Sequence, residues 1–438
     1  MQTKVAKYVT NSINEDFGTN LLIKKVDLSF LGTVKFKGIE IRDHHKDTLI
    51  FVKKLNTSIL NIKKVIEGDV NLKSISLEDA FYYTKTYKGE TKSNMGIFID
   101  SFDTDKPKDS ITKPFFLTTP NIYVSNLNYR LINENNKNPI TYKASKIGGN
   151  LQDFSVKGSN VTAKIRGLYF TEYFGFNVTN FTTDFEYANT AMIFDKTTLQ
   201  TRTSKVVGDI FFNYKKNELA NFNDKVKIKA SFRKSALSVK DLKKLYNQLE
   251  GDDVFNFTGN VTGTINNLNT QNLNLNSTNG LKVYGNLAFQ NSAARNRGFI
   301  FDGDIQRFTA TYKDLKRLLP NVLGKTLPAE FSKLGKFTLR GPVKVTPEKV
   351  DATITVNTEI GSLLSNLQIS NIDNFDYANY TGEVVFKNFQ IGTFFSNNLF
   401  GNISLKGDVN GKGFALENIN TSFIGEVSEL EFKGYKYT

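Results

Sequence analysis

Three runs along the chain share one formula: apolar, x, apolar, x, Gly, x, Val. They are Phe255-x-Phe257-x-Gly259-x-Val261, Phe337-x-Leu339-x-Gly341-x-Val343 and Ile403-x-Leu405-x-Gly407-x-Val409. Between the apolar positions stand Asn256, Thr258 and Asn260; Thr338, Arg340 and Pro342; Ser404, Lys406 and Asp408. Alternation at period two predicts β-strands with one apolar and one wetted face. Each run follows a stretch of helical character, at 238–246, 312–319 (stopped by Pro320) and 388–395. The first two carry Asp241-Leu242 with Leu245, and Asp314-Leu315 with Leu318, enough for a short amphipathic helix lying on a sheet. The recurrence, at roughly 74 residues, reads as a repeat architecture.

The first half follows the same grammar. A helix is expected from about residue 3 to 17, with Val5, Tyr8, Val9 and Ile13 on one side and Gly18 ending it. Gly32-x-Val34-x-Phe36-Lys37-x-Ile39-x-Ile41 is then echoed by Gly68-x-Val70-x-Leu72-Lys73-x-Ile75-x-Leu77. Both copies shift their apolar phase after the lysine, as a β-bulge does, and an acid follows each, Asp43 and Asp79. A polar interruption with Pro107, Pro114 and Pro120 is expected near 84–121. Strands resume at Ile122-x-Val124, Phe154-x-Val156, Phe174-x-Phe176-x-Val178, Phe181-x-x-x-Phe185 and Val226-x-Ile228-x-Ala230. The expected division is a helix over 1–18, a β-region over 19–237, repeats over 238–312 and 313–387, and a partial, truncated repeat over 388–438.

A long, mostly antiparallel sheet with one apolar face must hide that face. The helices are too short and too few to cover it, which leaves a sandwich or barrel, or a curved sheet folded around a lipid. Gly259, Gly341 and Gly407 fall on the apolar face and read as kinks that let the sheet pack tightly.

Composition narrows the chemistry. The chain of 438 residues is too long for one ordinary core. It has no cysteine, which excludes disulfides, thiolate metal sites and cysteine nucleophiles. Its two histidines, His44 and His45, lie beside Asp43 and Asp47 and read as a surface turn without metal. Asp252-Asp253 reads as a solvated turn. The stretch 100–105 resembles a calcium loop but lacks the central glycine and distal glutamate, and reads as surface loop. Asn-x-Ser/Thr triplets such as Asn177-Val178-Thr179 read as chance in so Asn- and Thr-rich a chain. No catalytic set, phosphate loop or dinucleotide fingerprint is present, so no enzyme activity and no cofactor are expected. A carbohydrate-active β-solenoid would need a carboxylate cluster that the pattern lacks.

The net charge of +14 is spread through pairs such as Lys24-Lys25, Lys53-Lys54, Lys63-Lys64 and Lys243-Lys244. Solvated strand positions are the first reading and anionic lipid headgroups the second, whereas no nucleic-acid motif accompanies the charge. No run approaches the roughly 18 apolar residues of a spanning helix. No signal peptide is read from the opening, and the alternation over 432–437 looks cut in mid-strand, so an interior piece of a longer protein is expected.

The opening resembles the N-terminal part of the AsmA-like, TamB-type proteins (translocation and assembly module subunit) of Bacteroidetes. The resemblance rests on the helix from Val5 to Phe17 and on Gly18-Thr19-Asn20-Leu21-Leu22-Ile23-Lys24-Lys25-Val26. It continues through the run from Gly32 to Asp43, Asp47-Thr48-Leu49-Ile50 and Leu72-Lys73-Ser74-Ile75-Ser76-Leu77-Glu78. Short helices followed by glycine-containing strands are similar to that family's later repeats. The resemblance implies an elongated, curved, mostly antiparallel sheet folded as a taco-like groove, the repeating β-groove, with a few short helices. It further implies a periplasmic protein held in the inner membrane by an N-terminal anchor preceding this sequence, conducting phospholipid toward the outer membrane. An outer-membrane barrel partner of the Omp85 type would be engaged by a C-terminal region beyond it. The expected groove lining is Val34, Phe36, Val70, Leu72, Phe255, Phe257, Val261, Phe337, Leu339, Val343, Ile403, Leu405 and Val409. The competing expectations are a chaperone for outer-membrane proteins and a structural or adhesive β-sandwich array.

Overall fold

Alternating apolar and polar positions become strands where a neighbouring strand accepts the pairing. A computed structural model describes residues 7, 10–11, 14–15, 18–28, 33–59, 69–101, 115–215, 218–294, 297–318, 320, 327–374, 377–414 and 417–438. The fold is all-β with a few short helices, and the chain divides into two units, Met1–Lys227 and Ile228–Thr438. Each unit is an open, curved and mostly antiparallel sheet.

The first unit holds β1 (Asn20–Leu28), β2 (Thr33–Arg42), β3 (Thr48–Ile59), β4 (Asp69–Thr86) and β5 (Phe116–Asn133). It continues with β6 (Ile140–Lys157), β7 (Asn160–Glu172), β8 (Asn177–Ala188), β9 (Ala191–Gln200) and β10 (Lys205–Asn213). Neighbours in sequence pair antiparallel except β4 and β5, which run parallel with Leu77 opposite Val124. A parallel step needs a crossover rather than a hairpin. The polar interruption is that crossover. It is shorter than expected at both ends, because β4 runs to Thr86 and β5 begins at Phe116. It carries helix α1 (Asn94–Asp100), whose N-terminus is capped by Ser93 Oγ accepting from the Gly96 N–H at 3.1 Å.

Several expectations shift in detail. Lys7, Thr10, Asn11, Asn14 and Glu15 are helical, while the remainder of the helix expected over 3–17 lies outside the described residues, as does 102–105 of the calcium-like stretch. The β3–β4 register slips between Ile75 and Leu72, which is the bulge expected after Lys73. In the first copy no residue is inserted against β3, since Lys37 faces Lys54 and Ile39 faces Val52. The phase changes there because Gly38 takes φ +64°. Phe174 lies in a hairpin turn, not a strand, because Gly175 at φ +87° reverses the chain between β7 and β8.

The second unit is a strict antiparallel meander. Its strands are β11 (Lys227–Ser238), β12 (Val254–Thr264), β13 (Asn267–Ser277), β14 (Lys282–Gln290), β15 (Ile300–Thr311) and β16 (Lys336–Val345). They continue as β17 (Lys349–Thr358), β18 (Gly361–Ser370), β19 (Asn379–Gln390), β20 (Phe400–Lys412), β21 (Asn420–Phe432) and β22 (Tyr435–Tyr437). After α2 (Phe222–Lys225), the helices α3 (Val239–Leu242), α4 (Tyr312–Leu318) and α5 (Ile391–Phe395) follow β11, β15 and β19. The formula strands are therefore β12, β16 and β20, so one repeat is four strands and a helix. Thr311 and Asp314 cap α4 reciprocally, each side chain accepting from the other's N–H at 3.1 and 3.0 Å.

One expected surface feature is buried. Asp252 is exposed, but Asp253 is 2% exposed and its Oδ2 accepts from Arg317 Nη2 at 3.1 Å. Arg317 sits on α4, 64 residues away, and also reaches Asp314 at 3.3 Å. The fold brings α4 back over the start of β12, which a local turn pattern does not encode. Arg317→Ala would strand the Asp253 carboxylate, whose Oδ1 already has no hydrogen-bond partner among the described residues. The expected loss is about 2–3 kcal/mol, read from the urea midpoint. A loss below about 0.5 kcal/mol, the scale of an exposed pair, would show that the pair is solvated after all.

Candidate functional site: the apolar sheet face

Directly opposed residues on neighbouring strands share a face, so the registers trace what the face is made of. In the second unit one row runs Phe257, Leu275, Val283, Phe308, Leu339, Val356, Leu363, Phe386, Leu405 and Val427, each paired with the next across β12 to β21. Every member is apolar. A second row runs Val261, Thr270, Leu287, Gly303, Val343, Ala352, Leu367, Gly382, Val409 and Phe423.

The opposite face is its complement. Thr262, Asn269, Ala288, Asp302, Lys344, Asp351, Gln368, Thr381, Asn410 and Ser422 form one continuous row there. Asp351 lies among cations and amides, and a hydrogen bond from Gln368, then one from Lys349, holds its carboxyl below the usual range.

Six of the thirteen expected lining residues fall into these rows. Phe257, Leu339 and Leu405 occupy the first, while Val261, Val343 and Val409 occupy the second. Phe255 and Ile403 lie at the helical end of the face. Phe255 packs with Val239, Leu242 and Leu315, and Ile403 with Ile360, Phe389 and Phe394. Phe337 stacks near Phe308, ring centroids 6.2 Å apart. The short helices thus close one end of the face and leave its length uncovered.

In the first unit, Val34 and Phe36 cluster with Ile23 and Val26. Leu72 packs against Ile75, Ile122 and Val124, and Val70 lies opposite Leu117. From Leu117 a row continues through Val156, Val161, Tyr187 and Met192 to Phe212 on β10. Tyr82, Tyr129 and Tyr142 neighbour one another at 5.0 and 6.1 Å. Burial lifts all three phenols, Tyr142 up to about 12, so they stay uncharged at neutral pH.

Seven row members escape the formula: Leu275, Val283, Phe308, Val356, Leu363 and Phe386 between its strands, and Val427 on β21 beyond them. Bulges hide them. The registers slip at Phe232/Ser235, Thr270/Leu273, Ile305/Phe308 and Phe386/Phe389, so strict alternation fails within each of those strands. Positive φ at Lys234, Asn272 and Asn388 marks three of these sites. A lysine or asparagine breaking an apolar alternation is the signal that would have found them.

The glycines of the formula admit a neighbouring backbone. A Cβ at Gly341, whose φ is +127°, would fall on the Thr353 carbonyl oxygen. At Gly407 it would lie 2.6 Å from Gly425 Cα. Close strand approach is thus what those positions demand.

The face is not sealed. From Phe257 to Leu405 each residue of the first row is half-buried, and Val427 is 45% exposed. No helix among the described residues is long and apolar enough to cross a membrane. Comparison of the sequence with protein-family models and with curated proteins finds no match.

Proposed function

We propose that this chain is part of a cell-envelope lipid carrier of the TamB type, in which phospholipid acyl chains lie along the apolar sheet face. The observation that carries the reading is the half-buried row from Phe257 to Leu405, apolar at every strand and wetted on its reverse side. Ten strands at about 4.8 Å spacing extend the row over about 43 Å. That exceeds the roughly 30 Å hydrocarbon thickness of a bilayer. A two-chain lipid exposes roughly 30 methylenes, which costs on the order of 20 kcal/mol in water. A face apolar at each step keeps that cost from recurring as the lipid advances. In this proposal the protein works in the periplasm between inner and outer membranes, with an anchor and an outer-membrane barrel contact supplied by parts outside this sequence. It performs no covalent chemistry.

The closed β-sandwich predicts near-complete burial along the first row, and the partial exposure there argues against it. The test is to express the chain in a bacterial periplasm, purify it without detergent and extract it for lipid mass spectrometry. Stoichiometric phospholipid is expected. A folded, lipid-free protein would overturn the reading in favour of a structural role.

A further inference from the structure

The two histidines of the chain end in one place. His44 Nε2 lies 3.0 Å from Glu90 Oε2, and His45 Nε2 lies 2.7 Å from Glu90 Oε1. The three donor groups come within 4.8 Å of one another, although Glu90 stands 45 residues after His45. In a strand, adjacent side chains point apart. Here the pair lies in the turn after β2, where both rings reach the same carboxylate.

We propose that His44, His45 and Glu90 form a binding site for a divalent transition-metal ion of the zinc class. Two imidazoles and a carboxylate are borderline ligands that favour zinc over magnesium or calcium, which take all-oxygen sets. Ligand bonds of about 2.0–2.2 Å place tetrahedral donors about 3.3 Å apart, close to the 3.0 and 2.7 Å between each imidazole nitrogen and Glu90. The fourth vertex opens to water, since both histidines are exposed.

A second observation is that both turns are already fixed. Asp43, 4% exposed, accepts from the N–H groups of His45 and Asp47, each at 3.0 Å, from Tyr87 Oη at 2.7 Å and from Asn94 Nδ2 at 2.9 Å. The Tyr87 ring stacks 3.8 Å from that of His45. The Glu90 N–H donates to the Tyr87 carbonyl at 3.0 Å, and Asn135 Nδ2 donates to the Glu90 carbonyl at 2.9 Å. Lys85 pairs with Asp47 and Glu134, whereas among the described residues no lysine or arginine pairs with Glu90. The ligands therefore need little ordering, and the metal staples the turn after β2 to the turn after β4.

The test is titration of the untagged full chain with zinc chloride by isothermal calorimetry, with magnesium and calcium chlorides as controls, alongside thermal melts. One zinc ion per chain and a higher melting temperature are expected, with no response to magnesium or calcium. His45→Ala and Glu90→Gln, both at exposed or half-exposed positions, should keep the fold by circular dichroism. Each should weaken binding beyond the roughly 10- to 100-fold typical of altering an outer-shell partner. Absence of saturable zinc binding would overturn the proposal, leaving a His–Glu hydrogen-bonded turn. So would binding that survives in a His44→Ala/His45→Ala double variant.

Discussion

Leu339→Asp is expected to leave the protein folded and to remove its lipid. Leu339 stands between Phe308 and Val356 in the middle of the apolar row and is half-buried. In a sealed core an unpaired carboxylate would cost several kcal/mol and unfold the unit. On an open face water reaches the carboxylate, so the cost is the lost leucine burial, about 1–2 kcal/mol. A lipid chain laid over the same position expels that water and leaves the charge without hydration. Phospholipid per chain should therefore fall at least about tenfold, the equivalent of about 1.4 kcal/mol. Leu405→Asp, farther along the row, should behave likewise. Leu364→Asp, on the opposite face at a position already 38% exposed, should retain lipid. Unfolding of Leu339→Asp with Leu364→Asp intact would return the account to a closed core.

Gly341→Val is expected to be strongly destabilising in the second unit. The residue holds φ +127°, a region that a β-branched side chain avoids. Its new Cβ would strike the Thr353 carbonyl oxygen and lie 3.1 Å from Ile354 Cα. Both obstacles are backbone of β17, so no rotamer change relieves them. Strain of about 1–3 kcal/mol from the dihedral adds to the separation of β16 from β17. A total above about 3 kcal/mol is anticipated from urea denaturation followed by tyrosine fluorescence. Thr338→Val, in the same strand, sets the baseline. A Gly341→Val protein as stable as that control would mean that β17 does not approach β16 so closely.

Much of this was legible in local pattern, because a strand's faces follow from period two and a helix from its caps. The formula strands lie at the same place in successive repeats, and Phe257, Leu339 and Leu405 meet in one row because each repeat spans four strands. Pairing direction is not local. Nothing in β4 or β5 alone announces that they run parallel, and only the length of the polar connection hints at it. Bulged strands were legible only in part, since one residue in a left-handed conformation reverses the faces beyond it. Leu363 and Leu364 make the point: adjacent and chemically identical, they lie on opposite faces according to a register set by β17 and β19. Charge partners were the least legible. Asp253 finds Arg317 and the histidine pair finds Glu90 only through the folded chain.

The most direct test of the apolar face as a lipid path places a photo-crosslinking phenylalanine analogue at Leu339, Leu363, Leu364 and Arg340, one position at a time, in cells. The account predicts phospholipid adducts from positions 339 and 363, and none from 364 or 340. Adducts of equal yield from both faces, or none from 339 and 363 in a folded protein, would contradict it.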